Sequence, residues 1–81
     1  MFGNRKRTYI ELQIAILKIL KQGKFTPYEI AKRTSLHFHV VQHQLILLKG
    51  MDYANLEFEH KRFRLFAITE KGIKYLRKLT R

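Results

Sequence analysis

Apolar residues recur at helical spacing as far as Gly50 and alternate with polar ones after it. Thr8-Tyr9-Ile10-Glu11 has the spacing of a capping box, so a first helix is expected from Thr8 to about Gln22, with Gly23 as a left-handed stop. Ile10, Ile14 and Leu17 form one apolar stripe on it, and Leu12, Ile16, Ile19 and Leu20 a second. That is more apolar surface than the roughly 100° stripe one helix needs against a core. Thr26-Pro27-Tyr28-Glu29 repeats the capping box, with Pro27 at the first helical position, where its missing N–H is harmless. Ile30 and Ala31 point inward on this second helix, and Lys32 and Arg33 close it, where cations suit the helix dipole. A third helix is predicted from about His37 to Lys49, ended by Gly50. Val41, Leu45 and Leu48 share its inner face, while His39, Gln42, His43 and Ile46 lie opposite. Val40 and Leu47 occupy one flank and Phe38 the other; the apolar set Val40, Ile46 and Leu47 is expected to pack on the hairpin, with a partner surface as the alternative.

Beyond Gly50, Leu56-Glu57-Phe58-Glu59 and Arg62-Phe63-Arg64-Leu65 alternate as strands do. They predict a hairpin whose tip, Glu59-His60-Lys61-Arg62, is basic. Tyr53, Phe58, Phe63 and Phe66 are expected to pack in the core and on the hairpin, with a base-stacking platform as the alternative. Thr69 caps a last helix with Ile73, Leu76 and Leu79 on its dry face and Lys74, Arg77, Lys78 and Arg81 on its wet one.

Length and charge narrow the partners. A chain of 81 residues without linker, repeat or low-complexity tract makes one domain, residues 8–81, behind a flexible basic arm, residues 1–7, that carries Arg5, Lys6 and Arg7. Seventeen Lys and Arg against six Asp and Glu give a formal charge of +11, which favours a polyanion: nucleic acid before an anionic membrane surface. The longest apolar runs, Ile14–Leu17 and Leu45–Leu48, are far too short to span a bilayer. Cysteine is absent, so no disulfide or thiolate metal site is expected. His39 and His43 stand four apart, a metal-pair spacing, but no Asp, Glu or Cys lies close in sequence to complete a site. No metal, cofactor or small-molecule ligand is predicted. Nor does any nucleophile, base and acid set or Gly-rich phosphate loop suggest an enzyme.

A short capped helix, a tight break and a second amphipathic helix within residues 26–49 make a helix-turn-helix. The apolar positions Ile30, Ala31, Leu36, Val41 and Leu45, followed by the run Phe66-Ala67-Ile68-Thr69-Glu70-Lys71-Gly72, resemble those of winged helix-turn-helix transcription regulators, most of all small archaeal and archaeal-virus ones. The resemblance covers about residues 8 to 80. It implies an α+β fold of three helices, a β-hairpin wing and a C-terminal helix, with duplex DNA as partner. In that family the start and outer face of the third helix meet base edges in the major groove. Those positions here are His37, Phe38, His39, Gln42, His43 and Ile46. Gln pairs with adenine, His with guanine or phosphate, and an apolar group with the thymine methyl. The resemblance places Lys32, Arg33, His60, Lys61, Arg62 and Arg64, with the basic arm, on the DNA backbone. The chain departs from the family pattern at Ser35, where the turn usually carries Gly, and in having no Arg or Lys on the third helix before Lys49. Base readout is therefore expected to rest on His and Gln, and grip on the arm, wing and helix ends.

Three roles fit this reading: a sequence-preferring homodimeric regulator, a non-specific architectural DNA binder, or a protein-interaction domain. Charge alone does not separate DNA from RNA. The surplus apolar surface of the first helix offers Leu12, Ile16, Ile19 and Leu20 as a dimer interface, with cover by the wing and last helix as the competing expectation. A cytoplasmic location, the host's if the protein is viral, accords with a basic start that no long apolar run follows.

Overall fold

Both capping boxes form. In a computed structural model of the chain, which describes residues 8–81, the Glu11 N–H donates to the Thr8 hydroxyl at 3.1 Å and the Thr8 N–H to the Glu11 carboxylate at 2.8 Å. Thr26 and Glu29 repeat the exchange at 3.2 and 2.9 Å. These bonds satisfy N-terminal amides that have no partner within a helix. They set the starts of α1 (Tyr9–Gln22) and α2 (Pro27–Thr34), which are followed by α3 (Phe38–Gly50), β1 (Ala54–His60), β2 (Phe63–Ile68) and α4 (Glu70–Leu79). Thr69 caps α4, accepting from the Gly72 N–H at 2.9 Å. The expected basic arm, with Arg5, Lys6 and Arg7, lies outside the described residues.

The helices enclose one core. α1 contributes Ile16, Leu17 and Leu20, α2 Ile30, α3 Val41, Leu45 and Leu48, the hairpin Ala54 and Phe66, and α4 Leu76. The buried face of α1 runs between the two stripes read from the sequence, because Gln13, Ile16, Leu17 and Leu20 are its buried positions. Ile16 and Leu20 lie within this core and so offer no surface to a second copy; Leu12 and Ile19 remain half-buried on one flank. α4, β2 and the other helices pack on α1; Ile14 and Ile19 lie half-buried against the core, and Ile10 stays exposed.

Gly23 is not a left-handed stop: its φ of 161° is extended backbone. The chain leaves α1 extended because Phe25 joins the wing, exchanging N–H to carbonyl bonds of 3.0 and 2.9 Å with Phe66. The left-handed residues are Ser35 after α2, Asp52 after α3 and Lys61 at the hairpin tip. Gly50 is the last residue of α3 rather than its break.

The hairpin also differs from the simple alternation. β1 and β2 pair antiparallel, with Leu56 opposite Phe66 but Phe58 opposite Leu65, so a bulge falls at Glu57. Opposed residues share a face and successive ones do not. Phe66 faces the core, so Phe58, Leu65 and Phe63 face away from it. Phe58 and Phe63 are half exposed and touch edge to face, their centroids 5.9 Å apart, rather than joining the core. Of the four aromatics assigned to packing, Phe66 enters the core, Tyr53 packs at its edge, and these two form a separate outer pair. Pairing continues to His60 and Phe63, which leaves Lys61-Arg62 as a two-residue tip in place of the expected four.

Candidate nucleic-acid interface

α3 presents its outer side to solvent because its inner side supplies three core residues. Val41, Leu45 and Leu48 are buried, Gln42 is half-buried, and His37, Phe38, His39, His43 and Ile46 are exposed. Ile46, at 64% exposure, is the most open aliphatic side chain of the helix. Val40 and Leu47 are half-buried, but Ile46, expected to pack with them on the hairpin, is exposed, because it lies opposite the buried face of Val41, Leu45 and Leu48. His37 is the N-cap: its Nδ1 accepts from the His39 N–H at 3.3 Å, and the two rings stack at 5.3 Å. Phe38 meets the edge of His39 at 6.0 Å. The start of the helix is thus an ordered aromatic cluster.

The turn before α3 holds the two helices at a fixed angle. Ser35 has φ 60° and ψ 24°, the left-handed region a glycine would occupy without strain. Its neighbour compensates: the Thr34 hydroxyl donates to the Ile30 carbonyl at 2.7 Å and accepts from the Leu36 N–H at 3.3 Å. Next to this turn, Tyr28, Ala31, Lys32, Leu36 and Phe38 line a shallow hollow of about 270 Å³. Tyr28, 67% exposed, is an interface candidate the sequence reading missed. Its outward position at the start of α2, two turns of chain from Phe38, was the signal available.

The expected backbone-contact residues divide into free and engaged ones. Lys32, Lys61, Arg62 and His60 are exposed. Arg33 is exposed but lies over the Phe25 ring, 4.6 Å from its centroid, a placement that fixes its stem against the base of the wing. Arg64 is paired with Glu59 across the strands at 3.2 Å, so part of its charge is already answered. Lys24 likewise pairs with Glu57 at 3.1 Å. That hydrogen bond, then one from Asn55 and the Lys24 charge, hold the Glu57 carboxyl below its ordinary value. The bulge residue is therefore pinned to the connection between α1 and α2.

Two buried polar side chains also escaped the sequence reading. Gln13 sits on the core stripe of α1 and Gln44 on that of α3. Gln13 Oε1 accepts from the Tyr75 hydroxyl at 2.6 Å, and burial pushes the Tyr75 phenol above its usual value. A glutamine at a core position reads as a polar interruption in a one-dimensional pattern, so neither was assigned inward. Among the described residues, no group of three or more His, Cys, Asp or Glu could hold a metal ion, and no helix is long and apolar enough to cross a membrane.

A winged helix-turn-helix family model matches residues 6–81, and the chain belongs to that family. No curated protein matches the chain. Solved structures share the fold. A MarR family regulator from Neisseria meningitidis is 26% identical at a TM-score of 0.74, over 91% of this chain and 53% of its own. The adhesin competence repressor from Streptococcus pyogenes is 24% identical at 0.76, over 95% and 57%. The transcriptional regulator BldR from Sulfolobus solfataricus is 20% identical at 0.77, over 85% and 51%. The chain spans about half the length of these regulators.

Proposed function

We propose that this protein is a double-stranded DNA-binding transcription regulator that prefers particular sequences, with α3 in the major groove and the wing tip on the backbone. The observation that carries this reading is the exposed outer face of α3, where His39, His43 and Ile46 surround Gln42 on a helix held from behind by its buried face. An α-helix fits the major groove, and the four side chains offer the donors, acceptors and apolar contact that base edges require. Lys32 and Arg33 on α2 and Lys61 and Arg62 at the wing tip supply cations on either side, for phosphates rather than bases. Three structurally similar proteins described as regulators or a repressor support the same reading. A homodimer would read a pseudo-palindrome with half-sites roughly 34–36 Å apart. Leu12 and Ile19, half-buried on one flank of α1, are its interface candidates.

The test is selection from a random duplex pool at near-physiological salt, followed by binding of variants. Changing Gln42 and His43 together to Ala is expected to remove about 1–3 kcal/mol of discrimination per base contact while most non-specific affinity stays. Changing Lys61 and Arg62 to Ala should weaken all duplexes alike and flatten the salt dependence by about one unit per lost phosphate contact. Retention of the full preference in the first variant would show that α3 is not the reader.

A specific observation favours an architectural role as the second reading. Within α3 the sole Lys or Arg is Lys49, at the helix's far end. A ratio of specific to non-specific affinity far below about 10³ would favour that role.

A further inference from the structure

The largest net positive charge of any described element lies on α4 and its end, not on the helix-turn-helix. Residues 70–81 hold Lys71, Lys74, Arg77, Lys78 and Arg81 against the single acid Glu70, all exposed. Neither ion pair described above involves any of them. Lys71, Lys74 and Lys78 share one helix face, at spacings of three and four where like charges repel and weaken a helix. Such an arrangement is relieved by an anion that spans it.

This face is built on a rigid floor. Tyr53 and Tyr75 stack with centroids 4.0 Å apart and planes 5° apart, and Lys71 Nζ stands 5.5 Å from the Tyr53 centroid. The three lysines and two tyrosines line a cleft of about 250 Å³. Tyr75 is held from below by its hydroxyl bond to Gln13. Tyr53, in the loop after α3, is held by the cap of α4: the Thr69 N–H donates to its carbonyl at 3.1 Å, and the Thr69 hydroxyl donates to the Asp52 carbonyl at 2.6 Å. The face also stands apart from the proposed reader. α4 packs chiefly on α1. Tyr53 follows the C-terminus of α3, whose thirteen residues put it roughly 20 Å along the helix from His37.

We propose that the lysine face of α4, floored by the Tyr53–Tyr75 stack, is a second duplex-binding surface, which lets one molecule hold two DNA segments at once. It goes beyond the major-groove reading and rests on it for the first duplex. The chemistry selects phosphate over other polyanions. Lysine is depleted at protein–protein interfaces but is a common point-charge partner of phosphate. An interfacial membrane helix needs an apolar outward face, and the exposed side of α4 has none.

The experiment tethers one duplex to beads, saturates it with the full chain at near-physiological salt, and measures capture of a labelled second duplex. Three proteins are compared: the wild type, Lys71→Gln with Lys74→Gln and Lys78→Gln, and Gln42→Ala with His43→Ala, Lys61→Ala and Arg62→Ala. Circular dichroism and melting confirm that each is folded. The wild type should capture the second duplex. The lysine variant should capture at least about tenfold less, with a salt slope smaller by about three units. Its affinity for a single short duplex should change less than about threefold, because none of the three lysines belongs to the helix-turn-helix or the wing.

Equal bridging by the lysine variant overturns the proposal, since two α3 faces of a dimer would then suffice. So does a wild type that binds one duplex and captures no second. If the lysine variant loses single-duplex binding while the α3 and wing variant keeps it, α4 is the primary surface and the major-groove reading falls as well. Absence of any duplex binding overturns both.

Discussion

Gly72 shows how one side chain's absence fixes two elements. A Cβ there would collide with the Tyr53 carbonyl oxygen and come within 2.9 Å of Ile68 Cγ1. Both neighbours are fixed, one as backbone and the other by its place against the core, so neither yields easily. On an exposed helix, Gly→Ala stabilises by about 1 kcal/mol through propensity alone. Here overpacking opposes it by about 3 kcal/mol, so Gly72→Ala should destabilise by about 2 kcal/mol. In a domain this small that lowers Tm by about 8–16 °C. Thermal melting reads it directly, and a rise in Tm would show that α4 can step away from the loop. The sequence places Gly72 in the first turn of a helix, where its role is invisible, because the colliding carbonyl comes from a loop nineteen residues earlier.

Elements were legible where their signals are local. Thr8 with Glu11 and Thr26 with Glu29 sit three residues apart, so both capping boxes were written in the chain and both formed. The wing was legible in outline only. Its bulge depends on Glu57 meeting Lys24 and Asn55 while Phe25 joins Phe66, and Lys24 is 33 residues distant. The bulge turned Phe58 outward against the simple alternation, onto the face where Phe63, three residues before Phe66 on an unbroken strand, already lies. The junction of α2 and α3 carries a prediction of its own. A non-glycine left-handed residue is strained by about 1–2 kcal/mol, and glycine loses about 0.5–1 kcal/mol of chain entropy instead. Ser35→Gly should therefore stabilise the fold by roughly 0.5–1 kcal/mol. Chemical denaturation checks it, and a loss of stability would mean that Ser35 makes a compensating contact outweighing the strain.

For the whole molecule, net charge outweighs ion pairing. Among the described residues the two ion pairs, Lys24–Glu57 and Arg64–Glu59, are exposed to water, which screens them and leaves each a small contribution. Against them stands a charge of +11 on one small chain, whose self-repulsion disfavours the compact state. Raising sodium chloride from about 0.01 M to about 0.15 M shortens the Debye length from about 30 Å to about 8 Å. Stability is expected to rise by about 1 kcal/mol, a Tm gain of about 4–8 °C. A Tm that falls with salt would mean the ion pairs dominate. Under the proposed function, the same imbalance makes duplex DNA both the ligand and the counter-charge that the free protein lacks.

The sequence by itself determined the order of elements, the capped starts of the helices, the inner face of α3 and the excess of positive charge. Each of these depends on residues within one or two turns of each other, or on composition. Only the tertiary structure decided that Ile16 and Leu20 close the chain's own core, that Gln13 and Gln44 lie inside it, and that Phe58 and Phe63 of the wing point outward. It alone set two tyrosines beneath the lysines of α4. These depend on which segments meet across tens of residues, and a periodic pattern records the face a residue occupies but not what lies against it.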